Sequence, residues 1–438
     1  MGTSAQGAPG VPSPFENGAS EVVNIDAVID RLIIRYQRDA GDTLDRTSMV
    51  DHIYEHIAFV FNKNIGKCDI YSRVHKVIEY KTVLQALMNI PKIDQRTPAW
   101  YEARNNMITA SDIAQSLGHG KFGTQRQFYE KKCGYEIDKF DSSMPALKWG
   151  IMFEPVAASA YSLKNEDVVV HEFGLLRHPS VGHLGASPDG ISEMGIMIEI
   201  KCPWRRKITG EIPLQYYYQM QGQLDVCGLD ECDYLECGFR EYDELCDFVE
   251  DFSETEDFMG IILELKDGKG YEYVDASLWR DVDAQLAWMD AATKACDVEK
   301  THFWRLHTYS VRRVYRDDQF IKDAYTKLAD VWQNVVSFKH DKSRYDFYMG
   351  KTSITTHAAK RIALQASKVH MNIDTPSKTN AAQSNGFDGY AFVEDDDDTK
   401  HPHPLTTRPN DTKQRPPTPV VKTKSASNPF SSYAFIDE

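Results

Sequence analysis

The chain has 438 residues, 42% of them hydrophobic and 26% charged, which is the balance of a globular protein with room for two or three domains. Its net charge of −15 excludes a protein that coats nucleic acid through a generally basic surface. No apolar run approaches the roughly 20 residues that cross a bilayer, and the first residues lack a secretory pattern, so a soluble intracellular protein is expected. The eight cysteines contain no Cys-x-x-Cys pair, which argues for reduced thiols and against a zinc ribbon. Cys227, Cys232 and Cys237 read as small buried residues around a strand rather than cluster ligands. His171, His178 and His183 fit no common ligand spacing and read as strand and loop residues.

In chain order, residues 1–20 are rich in Gly, Pro, Ser and Ala and read as a disordered leader. Over 21–95 apolar residues recur at helical spacing, as in Val28, Ile29, Leu32 and Ile33 and again in Ile53, Ile57, Val60 and Phe61, which predicts a helical N-terminal domain. Residues 96–350 mix both periods. Helices are predicted over 111–117, 148–163, 214–226, 276–295 and 318–338, and strands over 168–173, 183–186, 196–201, 233–239, 261–265 and 308–315. That mixture predicts an α/β (α+β) domain, a mixed central sheet flanked by helices. Glu241 to Asp257 holds nine acids and reads as a solvated loop. Lys131-Lys132, Arg205-Arg206-Lys207 and Arg312-Arg313 with Arg316 are the candidates for a locally basic groove. Residues 351–438 are rich in Ser, Thr, Pro and Asn and read as a disordered tail. Two stretches of it, 385–395 (NGFDGYAFVED) and 428–438 (NPFSSYAFIDE), repeat an aromatic-acidic pattern and read as twin docking motifs for a partner.

The chemistry concentrates in Ser187-Pro188-Asp189-Gly190 and the following Ile196-Met197-Ile198-Glu199-Ile200-Lys201-Cys202-Pro203. Asp189 sits in a turn-prone tripeptide. Along the predicted strand Ile196, Ile198 and Ile200 take one face, while Met197, Glu199 and Lys201 take the other. Crowded carboxylates resist ionising together unless a cation lies between them, so the set is a candidate divalent-metal site with an ammonium beside it. Glu154, near the start of a helical pattern, offers a third acid. On the helix over 214–226, Tyr216, Gln219 and Gln223 share a face by their spacing and can orient water. Clustered carboxylates suit phosphodiester hydrolysis, because a metal lowers the pKa of water and neutralises the leaving oxygen. A lysine suits the remaining place as a compact point charge.

Five motifs in order carry a family resemblance: Trp100 to Arg104 with Thr109-Ala110-Ser111, Gly150-x-x-x-Glu154-Pro155, Ser187-Pro188-Asp189-Gly190, Glu199-Ile200-Lys201-Cys202-Pro203, and Tyr216-x-x-Gln219-Met220-Gln221. Over about residues 100–225 the chain resembles the lambda-exonuclease or YqaJ-type viral recombinase branch of the PD-(D/E)xK nucleases, in versions from large DNA viruses of eukaryotes. The resemblance implies a restriction-endonuclease-like core and a Mg²⁺- or Mn²⁺-dependent deoxyribonuclease, a 5′-to-3′ exonuclease acting on duplex DNA ends in recombination, repair or genome processing. Glu154, Asp189, Glu199 and the backbone carbonyl of Ile200 would hold one or two ions. Lys201 and Gln219 would complete the catalytic set, with Tyr216 lining the pocket and Arg104, Ser111 and Ser187 binding a terminal phosphate. The family includes ring-shaped trimers, so a homo-oligomer is one assembly it allows. A single-strand-annealing or replication protein would be the partner for the tail, in host cytoplasm, nucleus or particle. A structure-dependent endonuclease and a non-catalytic DNA-end or partner-binding scaffold are the alternatives.

Overall fold

The computed structural model describes residues 25–40, 46–61, 66–95, 97–135 and 144–350. The leader 1–20 and the tail 351–438, with both repeated motifs, lie outside the described residues. Among the described residues no helix is long and apolar enough to cross a membrane.

The predicted helical start is three helices: α1 (Ile25–Ala40), α2 (Arg46–Phe61) and α3 (Lys67–Met88). Thr97 accepts from the Trp100 amide and, with Pro98 in the first turn, starts α4 (Pro98–Asn105). There follow β1 (Ile108–Thr109), the short α5 (Ile113–Ser116), α6 (Gln125–Cys133), α7 (Pro145–Lys164), β2 (Val170–His171), β3 (Leu176–Arg177), β4 (Leu184–Ala186), β5 (Gly190–Ser192) and β6 (Met197–Lys201). After them come α8 (Leu214–Cys227), β7 (Glu231–Tyr242), α9 (Leu245–Glu254), β8 (Met259–Leu265), β9 (Tyr271–Tyr273), α10 (Val282–Ala295), β10 (Val298–Tyr315), α11 (Asp318–His340) and α12 (Lys342–Tyr348). The described residues up to Lys342 belong to one compact unit; a second unit, 343–427, is described only to residue 350.

Seven strands form one mixed sheet in the order β2-β5-β6-β7-β10-β8-β9, and β1-β4-β3 form a smaller one. Strand β6 runs antiparallel to β5 and parallel to β7, with Lys201 opposite Glu236. As a central strand it is covered on both faces: Met197 and Glu199 are 0% exposed and Ile198 is 1%. The expected alternation therefore separates two buried faces rather than a core from a surface.

Three expectations need correction. Strands β7 and β10 are far longer than predicted, pairing from Glu231 opposite Tyr315 to Tyr242 opposite Phe303; polar residues such as Glu236 and Arg240 hide the strand from an apolar-pattern reading. The acidic stretch 241–257 is no loop, for it contains the end of β7 and helix α9. Leu245, Phe248, Val249 and Phe252 make a helical stripe among the acids, and Phe248 is fully buried against Tyr242, Phe252 and Phe303. The expected boundary near residue 95 is no break in packing either, since Ile29, Ile33, Ile53, Ile70 and Val77 belong to the same core as Ile198, Leu235 and Leu263.

Charge fixes that packing. Arg73 on α3 forks onto Asp30 of α1, both bonds at 2.7 Å, and donates also to Glu231 at the start of β7. Arg313 on β10 donates to its cross-strand partner Asp233 at 2.6 Å, to Glu231 and to Asp30. Tyr161 of α7 donates to Asp233 at 2.7 Å, and Lys76 lies 3.0 Å from Glu231. All five charged groups at the centre are buried. Two of the three basic clusters thus turn inward or pair off: Arg313 is in this network, Arg316 is bonded to Asp225 and Asp318, and Lys132 is buried on Asp112 at 2.6 Å.

Removing one partner of a buried pair leaves an uncompensated charge at a cost of roughly 3–5 kcal/mol. Arg73→Met is expected to lose about that much by urea unfolding, and adding Asp30→Asn to recover part of it. Burial pushes the Glu231 carboxyl up, but Arg73, Arg313 and Lys76 outweigh it and hold it at about 2 against an ordinary 4.5. A depressed carboxyl contributes stability that is whole above the unfolded value and is lost as pH falls through the folded one. Glu231→Gln should therefore narrow its deficit to the parent protein as unfolding is measured from pH 5 down to pH 2.

Candidate active site

Strand β4 ends at Ala186 and β5 begins at Gly190, so Ser187, Pro188 and Asp189 form the crossing from the small sheet to the large one. A Cβ at Gly190 would lie 2.5 Å from Val170 Cγ1, which explains the glycine. Gly190 faces Ile198 in the ladder, so Ile200 lies beyond the end of β5. Its amide donates instead to Asp189 Oδ2 at 2.7 Å, and this bond aims the carboxyl at the end of β6.

Glu199 is the best-held group of the site. It is fully buried; Gln219 Nε2 donates to Oε1 at 2.7 Å, Gln223 Nε2 to Oε2 at 2.8 Å, and Lys201 Nζ lies 3.0 Å from Oε1. Both amides come from one face of α8, as their spacing of four requires. Lys201 also lies over the Tyr216 ring, 4.8 Å from its centre. Between these glutamines, Gln221 faces the other way: it donates to the Tyr315 carbonyl at 2.9 Å and accepts from the Asp317 amide at 2.8 Å. A Cβ at Gly222 would come within 2.4 Å of Ile113, so α8 lies hard against the turn after β1.

Glu154, Asp189, Ile200, Lys201, Tyr216 and Gln219 line one cleft of about 710 Å³, counting space open to solvent. Glu154, Asp189 and Ile200 also border a second cleft on the α7 side. The expected catalytic residues are thereby brought to one place, with Glu199 buried against Lys201 and Gln219. Among the described residues no three His, Cys, Asp or Glu side chains gather closely enough to hold a metal ion. Glu154, Asp189 and Ile200 line the cleft, and carboxylates with a backbone carbonyl are a hard oxygen set that fits Mg²⁺ or Mn²⁺, whereas Glu199, expected as a third ligand, is fully buried with both oxygens bonded to Gln219, Gln223 and Lys201.

The expected phosphate-binding residues also assemble. Arg104 donates to Ser111 Oγ at 3.2 Å and stacks 4.3 Å from the centre of the Trp100 ring, and Trp100 Nε1 donates to Ser187 Oγ at 3.4 Å. Lys132 supports them by donating to the Arg104 carbonyl at 2.8 Å. Burial pushes its ammonium down to about 8 against the pull of Asp112. Burial would raise the Asp112 carboxyl, but Lys132, Lys131 and Arg104 hold it well below the usual range.

Trp204, after β6, was not expected at the site, while Arg206 beside it belongs to the basic run 205–207 that was a candidate for a groove. Gln223 had been placed on the right face of its helix without a partner. His178 is structural; its Nδ1 accepts from the Ser180 and Val181 amides and its Nε2 faces Asp225 at 2.9 Å. Cys202, Cys227, Cys232 and Cys237 are all buried, and His183 stacks on Trp332.

Residues 99–230 match the model of the YqaJ-like viral recombinase domain, which spans every residue of this constellation. Over these residues the chain is similar to the YqaJ-like domain. It is 32% identical over 201 residues to an uncharacterized protein of Acanthamoeba polyphaga mimivirus, an alignment covering 42% of this chain and 36% of that one. A protein of African swine fever virus is 21% identical over 310 residues, covering 58% of this chain and 89% of the relative. The chain thus spans about a third of the mimivirus protein. An alkaline exonuclease from Laribacter hongkongensis superposes over 58% of this chain and 100% of its own, with 22% identity and a TM-score of 0.36. Overlap that loose leaves the fold of the YqaJ-like domain to rest on its own sheet order.

The clamp on Glu199 gives a direct test. Gln223→Met removes a donor to a buried carboxylate, whose lost bond costs about 1–3 kcal/mol. Urea unfolding should register that loss, and a variant as stable as its parent would rule the clamp out.

Proposed function

We propose that the protein is a metal-dependent deoxyribonuclease that digests duplex DNA ends from the 5′ terminus. The observation that carries the reading is the convergence of Glu154, Asp189, Ile200, Lys201 and Gln219 on one cleft, with the Arg104, Ser111 and Ser187 group joined to it through the Ser187–Asp189 crossing. The family supports the same chemistry.

Glu154, Asp189 and the Ile200 carbonyl would hold one or two Mg²⁺ or Mn²⁺ ions, with Glu199 behind them. Such an ion, when bound, lowers the pKa of a water and offsets charge on the leaving oxygen. The chain's own groups do the positioning. Lys201, fixed by Glu199 and the Tyr216 ring, presents an ammonium to the attacking water and to the charge that develops on phosphorus-bound oxygens. Gln219 is held by its bond to Glu199 and carries its carbonyl end toward water or phosphate. The Arg104 guanidinium, with Ser111 and Ser187, suits a terminal 5′ phosphate, because a planar fork of donors matches phosphate oxygens.

Lys201→Met removes the ammonium from buried Glu199 and from the Tyr216 ring, while Gln219 and Gln223 still bond that carboxylate, so a folded but less stable variant is expected, with a loss of at least about 100-fold in rate, the scale of removing one transition-state donor. Chelation should stop cleavage of linear DNA, and Mg²⁺ or Mn²⁺ should restore it. Replacing 5′-phosphate by 5′-hydroxyl ends should slow the parent protein and leave Arg104→Met little affected. Equal digestion of covalently closed circles would replace the end-directed reading with an endonuclease.

A further inference from the structure

The loop leaving β6 extends the cleft wall with side chains that neither the metal nor the terminal-phosphate set uses. Trp204 lines the cleft beside Lys201 and Tyr216 and is 38% exposed, unlike Trp100, Trp149, Trp279 and Trp304, which are all buried. The Arg205 guanidinium lies over the indole, 3.9 Å from its centre, which stiffens the ring and covers part of it with positive charge. Arg206 lines the same cleft and donates to Glu236 at 2.5 Å. Glu236, opposite Lys201 in the ladder, also accepts from Tyr234 at 3.0 Å. A buried acid thus holds one guanidinium at the wall while another backs a solvent-facing indole.

A core has no use for an indole half in water with an arginine stacked on it. An aromatic platform flanked by two cations, beside a phosphodiester site, has the features that hold an unpaired nucleotide: a π-face for the base and charge for its phosphate. Resting on the nuclease reading, we propose that Trp204 is a specificity-determining residue that stacks on an unpaired base next to the reacting phosphate, with Arg205 and Arg206 flanking that nucleotide's backbone. A paired base buries its faces in the duplex, so the platform selects strands whose end nucleotides are splayed out. Purines, with the larger face, are held better than pyrimidines, and an abasic site is held least.

The test uses the full chain and 5′-phosphorylated single-stranded oligonucleotides with a purine, a pyrimidine or an abasic site at each of the first few positions. Binding is read by fluorescence anisotropy in chelator, and cleavage separately in Mg²⁺ or Mn²⁺. Loss of one stacked base is expected to weaken binding about ten-fold in the parent protein. Trp204→Ala should lose a similar factor and bind the abasic and purine oligonucleotides alike, whereas Trp204→Phe should keep most of the preference. The proposal is overturned if Trp204→Ala still discriminates against the abasic site, or if the parent protein never does. The base comparison on the parent protein stands whether or not the alanine variant folds. Absent cleavage with intact base discrimination would defeat the nuclease reading and leave the platform standing.

Discussion

A carboxylate taken wholly out of water must have its oxygens bonded, and Glu199 meets that demand with two amides from α8 and the ammonium of Lys201. The position of α8 on β6 is therefore fixed by charge as well as by packing. From that helix the other constraints follow. Gln221 ties its far face to the junction of β10 and α11, Gly222 lets it lie against the turn that carries Ser111, and Asp225 near its end anchors His178 and Arg316. A slip of α8 by one residue would strip both glutamines from Glu199 and lift Ser111 from its place.

The second polar core, around Arg73 and Arg313, has a different task. Three acids from α1 and β7 meet two arginines from α3 and β10, so helices that looked like a separate domain are tied to the ends of the longest strand pair. Hydrophobic contact alone tolerates sliding, whereas a bidentate arginine does not. The same economy explains why a basic run in the sequence need not be a nucleic-acid face: Arg313 and Lys132 were candidates for one and are consumed by internal pairs, whereas the run 205–207 puts Arg206 on the cleft wall.

The residues at the cleft were legible because their chemistry is local. A Pro-Asp-Gly turn and an alternating Glu-x-Lys strand announce themselves within a dozen residues, and the spacing of Gln219 and Gln223 gives a helix face. What was not legible depends on pairing across long separations. The full length of β10 comes from the register with β7 and β8, which no window of its own sequence contains. Helix α9 was masked by its acids; Asp251 and Asp257 are in fact matched by Arg305, at 2.7 and 2.8 Å, so part of the negative charge that suggested a solvated loop is neutralised by a strand 48 or more residues away. The bonding of Gln223 and the exposure of Trp204 required the fold.

That internal matching also bears on how a chain with a net charge of −15 can receive a polyanion. Attraction at a site depends on the charge near it rather than on the sum, since at physiological salt fields between exposed charges fade within about 8 Å. Lys201 and Arg206 are each held by a buried glutamate, Glu199 and Glu236, which sets their direction at the cleft. On the proposed nuclease reading, few phosphates would be gripped in such a cleft. Its affinity should come from shape and stacking more than from counterion release, and should fall with salt less steeply than that of a protein that binds along a broad basic face.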